Sequence, residues 1–130
     1  MTDEMYQLGK FEKSIRRLEE ALAHDIEEDD LFLDGIIQRF EFTFESAWKS
    51  IKMVLRYSGE DCISPRDCIK SAYKHGWIED EETFLELLRC RNLTSHTYSF
   101  EIAYKVYETI RKNYKAFIRL FDNLKKILNE

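Results

Sequence analysis

Arg91, Asn92, His96 and Tyr98 fall within the octapeptide Arg91-Asn92-Leu93-Thr94-Ser95-His96-Thr97-Tyr98, in a chain that has only three histidines. A guanidinium keeps its charge at every relevant pH and grips a phosphate through a planar fork. An imidazole gives or takes a proton near neutrality. Together they are sufficient parts for cleaving a phosphodiester without a metal. His96 would take a proton from a ribose hydroxyl or return one to the leaving oxygen. Arg91 would hold the phosphate and offset its growing charge. Asn92 would hydrogen-bond near the scissile bond or orient His96, and Tyr98 would donate a hydrogen bond or present its hydroxyl for modification. A bland reading uses the same residues: Arg91 meets a helix dipole at its C-terminal end, His96 is a satisfied turn residue, and Tyr98 sits at the edge of the core.

Position decides between these readings. Five residues separate Arg91 from His96, which in an unbroken helix places them about 140° apart. Leu93-Thr94-Ser95 reads as an interruption, because Thr and Ser favour caps and turns. A break there would turn both side chains into one groove. Otherwise the site is composite, each subunit of a dimer supplying half. Tyr98 lies on the side of His96 if that segment is extended.

The surrounding elements read as helices. Met5, Leu8, Phe11, Ile15, Leu18 and Leu22 recur every three or four residues, which marks a first helix over 4–24. After the acidic turn Glu27-Glu28-Asp29-Asp30, a second long helix runs over 31–57, with Asp30 as its cap. Gly59 suits a left-handed terminus for it. Ser64-Pro65-Arg66-Asp67 opens a short helix, which stops at His75-Gly76. Asp80 caps a fourth, read to about Arg91. A last helix runs from Ser99 almost to the C-terminus, along Ala103, Val106, Ile110, Tyr114, Phe117, Phe121, Leu124 and Leu128. The expectation is an all-α fold, an antiparallel up-and-down bundle of four to five helices.

Composition bounds the rest. The 130 residues suit one domain over 1–130, and 44% hydrophobic residues suffice for a core. No apolar run approaches the roughly 20 residues that span a bilayer, and the acidic N-terminus lacks a signal peptide's pattern. A cytoplasmic location without membrane contact is expected. Cys62, Cys68 and Cys90 lack paired metal-site spacing and read as free, buried thiols, so no metal or cofactor is expected. The net charge of −5 is unevenly spread. Residues 1–34 carry eleven acids and four bases, while 89–130 carry nine bases and four acids. Arg89, Arg111, Lys112, Lys115 and Arg119 form either a local track for RNA or a solvated helix face. So many apolar faces on few helices also predict an interface, with Phe42, Met53, Trp77 and Tyr107 as its candidate residues.

The octapeptide resembles the R-x4-H-x-Y motif of the HEPN superfamily, including the polar residue after the arginine. Phe42-Thr43-Phe44-Glu45-Ser46-Ala47-Trp48-Lys49 resembles the second-helix signature of one branch, the nucleotidyltransferase substrate-binding protein or HepT-like family. Ser64-Pro65-Arg66, Ala72-Tyr73 and Gly76-Trp77-Ile78 are similar to its central segment. The resemblance implies a four- to five-helix bundle that forms a homodimer, with two motifs close together at the interface. It implies a separate minimal nucleotidyltransferase as partner, in a toxin–antitoxin arrangement. The implied toxin is a metal-independent endoribonuclease acting on RNA through Arg91 and His96. Its implied neutralisation is AMP transfer to Tyr98. The older family name implies instead a non-catalytic subunit that binds a substrate or scaffolds its transferase. The transferase's own Gly-Ser pair with spaced aspartates is absent from this chain. A purely structural helical dimer is the third reading.

Overall fold

The computed structural model describes residues 2–96 and 98–129. Thr97 of the octapeptide, like Met1 and Glu130, lies outside the described residues. Six helices follow in order: α1 (Asp3–Leu22), α2 (Asp30–Tyr57), α3 (Pro65–Lys74), α4 (Glu81–His96), α5 (Phe100–Asn113) and α6 (Lys115–Leu128). All regular structure among the described residues is α-helical.

The helix starts follow local chemistry. Thr2 accepts from the Met5 amide, Asp29 from Leu31, Ser64 from Asp67 and Ser99 from Ile102. Each satisfies an amide that a helix's first turn leaves unpaired. The cap of α2 is thus Asp29 rather than the expected Asp30. Asp80 accepts from the Glu82 amide and the Thr83 hydroxyl at 3.0 and 2.8 Å. Gly59 and Gly76 end α2 and α3 at φ 89° and 76°, a left-handed conformation that only glycine adopts freely. The single last helix expected from the sequence is divided at Tyr114, where the Phe117 amide bonds to the Tyr114 carbonyl at 3.0 Å.

α1 and α2 run antiparallel. Gln7 bonds to Ser46, Thr43 to the Ser14 carbonyl and Arg39 to the Arg17 carbonyl, so numbers rise along one helix as they fall along the other. α2 is 28 residues long and packs against all five other helices. The core centres on Phe117, whose ring lies 6.3 Å from Phe11, 6.3 Å from Phe40 and 6.0 Å from Phe84. One side chain therefore ties α6 to α1, α2 and α4.

Two expectations are corrected here. Cys62 and Cys68 are not free thiols but a disulfide, their Cα atoms 5.0 Å apart, within the span such a bridge requires. The Ser64 turn folds the first turn of α3 back on the preceding loop and brings them together. Cys90 alone is free and buried, and burial raises its pKa to about 11. Among the four interface candidates only Phe42 is exposed, at 57%, while Trp77 is buried and stacks on His75. Met53 and Tyr107 are half-buried.

The α2–α3 junction carries a pH prediction. Asp61 accepts from Lys52 at 2.9 Å and from the Cys62 amide at 2.8 Å, and lies 3.3 Å from Arg56. The Lys52 hydrogen bond foremost, then the Cys62 amide, lower its pKa from 3.8 to about 2. A depressed carboxylate stabilises the fold above its unfolded pKa, and that contribution fades as pH falls from 3.8 through about 2. Asp61→Asn should therefore melt at a lower temperature than wild type at pH 7, with the gap closing by pH 2. A gap of constant size in thermal melts would contradict this.

Candidate active site

α4 runs unbroken through the motif to His96, so the expected interruption at Leu93-Thr94-Ser95 does not occur. The two hydroxyls that suggested a turn are satisfied inside the helix. Ser95 donates to the Arg91 carbonyl at 2.9 Å. The Thr94 hydroxyl is shared between that carbonyl at 3.1 Å and the Glu41 carboxylate at 2.9 Å. Back-bonding of this kind removes the competition that lets Ser and Thr end helices.

The consequence for Arg91 and His96 is the separation that an intact helix imposes. Arg91 turns toward α2. Its Nη2 lies 3.8 Å from Glu45 Oε2, and its guanidinium carbon is 5.7 Å from the Phe44 ring centroid. The side chain is 25% exposed, and its buried Nε has no partner. The ion pair is long, so the guanidinium keeps donors to spare.

Asn92 and His96, four residues apart, share the other face. Both are exposed and line a groove of about 370 Å³ with Arg89 and Leu93. Arg89 is held by Glu86. Leu93 is 49% exposed beside them, and the groove's lining is mostly apolar, as at the margin of an interface.

Tyr98 occupies a third setting. Its hydroxyl donates to Asp34 Oδ1, and its ring lines a groove of about 470 Å³ with Leu31, Gln38 and Glu41. The ring is half-exposed, but its oxygen end rests against α2. That partial burial first, then the hydrogen bond to Asp34, push the phenol up to about 12. It is fully protonated at neutral pH.

One chain thus places Asn92 with His96, but neither Arg91 nor Tyr98 in their groove. The expected shared cleft is not found among the described residues of one chain. Residues the sequence reading missed lie on α2. Tyr98, Thr94 and Arg91 meet Asp34, Glu41 and Glu45 in turn. At 100° per residue these three acids fall within about 40° of arc. That stripe was present in the sequence as a spacing of seven and four.

A family described as "Nucleotidyltransferase substrate binding protein like" matches residues 6–130. The Haemophilus influenzae protein named "Probable ribonuclease HepT" is 35% identical over 89 residues, covering 62% of this chain and 59% of that protein. The chain thus spans about three-fifths of the curated relative it matches. A crystal structure from Thermus thermophilus superposes with a TM-score of 0.79 at 29% identity, over 88% of this chain and 98% of the other. A tri-AMPylated Shewanella oneidensis HEPN toxin, solved in complex with an MNT antitoxin, superposes with a TM-score of 0.75. It covers 97% of this chain and 99% of that one, and at 16% identity it shares the fold.

Proposed function

This chain belongs to the nucleotidyltransferase substrate-binding-protein-like family, and from that premise we propose that it is the HEPN toxin of a toxin–antitoxin pair. Its activity is metal-independent endoribonuclease cleavage, and its antitoxin is a separate minimal nucleotidyltransferase. The observation that carries this reading is the groove in which Asn92 and His96 lie exposed side by side, on the helix that also carries the Arg91 guanidinium, whose ion pair to Glu45 is long at 3.8 Å.

The site is completed in a homodimer, where a second motif supplies what one chain's groove lacks. His96 removes the proton of a ribose 2′-hydroxyl, and the freed oxygen bonds to phosphorus as the bond to the 5′-oxygen breaks. The partner copy's imidazole returns a proton to that leaving oxygen. Arg91 offsets charge on the phosphate, and Asn92 orients the scissile region. Incubation of the protein with RNA in EDTA, beside His96→Ala, tests the reading: cleavage by the wild type alone supports it, and no cleavage by either overturns it.

Neutralisation proceeds by AMP transfer to Tyr98. The phenolic oxygen bonds to the α-phosphorus of ATP, pyrophosphate leaves, and the phenol's proton must be accepted. Because the phenol is neutral at pH 7, that acceptor matters, and the Tyr98–Asp34 hydrogen bond supports Asp34 in the role. Co-expression with the partner transferase should add mass in AMP steps, and Tyr98→Phe should abolish the addition. Wild-type protein that stays unmodified would sink this part.

One observation favours a second reading. Arg91 is engaged by Glu45 and Phe44, on a face apart from His96, as suits a non-catalytic bundle that holds a substrate or scaffolds its transferase. Absence of cleavage with tight transferase binding selects that reading.

A further inference from the structure

The bases singled out as an RNA track are partly neutralised at home. Arg89 pairs with Glu86, and Arg111 with Glu108 at 3.0 Å. Lys112, Lys115 and Arg119 are exposed and form no ion pair within 4.0 Å among the described residues, and a second set of free bases lies in the segment whose net charge is most acidic. Lys10, Lys13 and Arg17 recur along one face of α1, all exposed. None forms an ion pair within 4.0 Å among the described residues. Of the acids on the same helix, Glu12 pairs with Arg16, while Glu20 reaches toward Arg39.

These three bases line a groove of about 400 Å³ between α1 and α2, with Arg39, Lys49 and the exposed Phe42 opposite. Arg39 is committed to the Arg17 carbonyl at 2.7 Å and to Glu20 at 3.9 Å, so it shapes the groove more than it binds. Five bases face a single carboxylate, Glu45. Glu45 reaches Lys49 at 3.7 Å with one oxygen and Arg91 at 3.8 Å with the other. The one carboxylate of the groove's lining is therefore also the counter-ion of the motif arginine.

We infer that the α1–α2 groove is a track for single-stranded RNA that delivers the strand to Arg91. Lys10, Lys13 and Arg17 hold backbone phosphates, Phe42 stacks on a base, and Glu45 marks the handover. Cations along a backbone with an aromatic platform beside them are what sequence-tolerant single-strand binding requires. The link to Arg91 rests on the ribonuclease reading; the track itself rests on the groove.

The test uses a fluorescein-labelled 2′-O-methyl oligouridylate of about ten nucleotides, which cannot be cut, and fluorescence anisotropy at several salt concentrations. Lys13→Glu/Arg17→Glu should weaken binding at least tenfold at low salt. It should also flatten the plot of log affinity against log salt by about 0.7 for each phosphate no longer held. Phe42→Ala should weaken binding roughly tenfold with the slope unchanged. All three positions are exposed, and unchanged thermal melts confirm that the variants fold. Wild-type affinity and slope in the double variant would overturn the track. So would loss of transferase binding with RNA binding intact, which assigns the groove to a protein partner. A double variant that binds the probe normally and still cleaves RNA in EDTA sinks the track and leaves the ribonuclease standing. A wild type that binds through the groove and cuts nothing does the reverse.

Discussion

Replacing His96 with alanine should lower RNA cleavage in EDTA by roughly 100- to 10,000-fold, the range that a positioned acid or base contributes. The effect should fall on chemistry and not on folding. His96 is exposed at the last turn of α4 and makes no side-chain hydrogen bond among the described residues, so the melting temperature should stay within the small spread of surface substitutions. Arg91→Ala makes an informative contrast. It removes one of the two cations paired with Glu45 and the cation over Phe44, and should therefore cost some stability as well as activity. Undiminished cleavage by His96→Ala at matched concentration, with EDTA present, would remove the imidazole from the mechanism.

Phe117→Ala should destabilise the fold by about 3–5 kcal/mol, as emptying a buried aromatic position does. Phe117 is completely buried, and its ring meets those of Phe11, Phe40 and Phe84. Truncation opens a cavity where α1, α2, α4 and α6 converge, and these walls are helices fixed by their own packing. For a chain of this size the loss corresponds to a fall in melting temperature of more than about 10 °C. Phe42→Ala is the control: the same chemical change at a 57% exposed position should move stability by no more than about 0.5 kcal/mol. Urea denaturation of both variants checks this. A loss below about 1 kcal/mol at Phe117 would mean that the core is not centred there.

The helical elements are legible in the sequence because their signals are local. Apolar spacing in α1 and α2, Ser64-Pro65 at the start of α3, Asp80 before α4, and Gly59 and Gly76 at helix ends each act within a few residues. Thr94 and Ser95 mislead because their types suit turns. A hydroxyl that reaches the carbonyl of Arg91 nevertheless stays within a helix, and Glu41 holds Thr94 there from α2. The division at Tyr114 leaves no mark in the sequence, because the apolar stripe continues across it without a Gly or Pro. The pairing of Cys62 with Cys68 depends on how tightly the Ser64 turn closes, which residue types alone do not state.

Charge shows the difference most plainly. Summed over 1–34 the segment is acidic, and the sum conceals a basic face on α1. Regional sums ignore which side of a helix a residue occupies. The order and type of the helices, the motif at the end of α4 and the resemblance it carries come from residue types and their spacing alone, since backbone preference and periodicity act over short stretches. Which side chains meet is settled by packing between helices far apart in the chain. Arg91 against Glu45, Tyr98 against Asp34, and α1's bases against Phe42 each join residues at least 25 positions apart, and no local preference encodes such pairs.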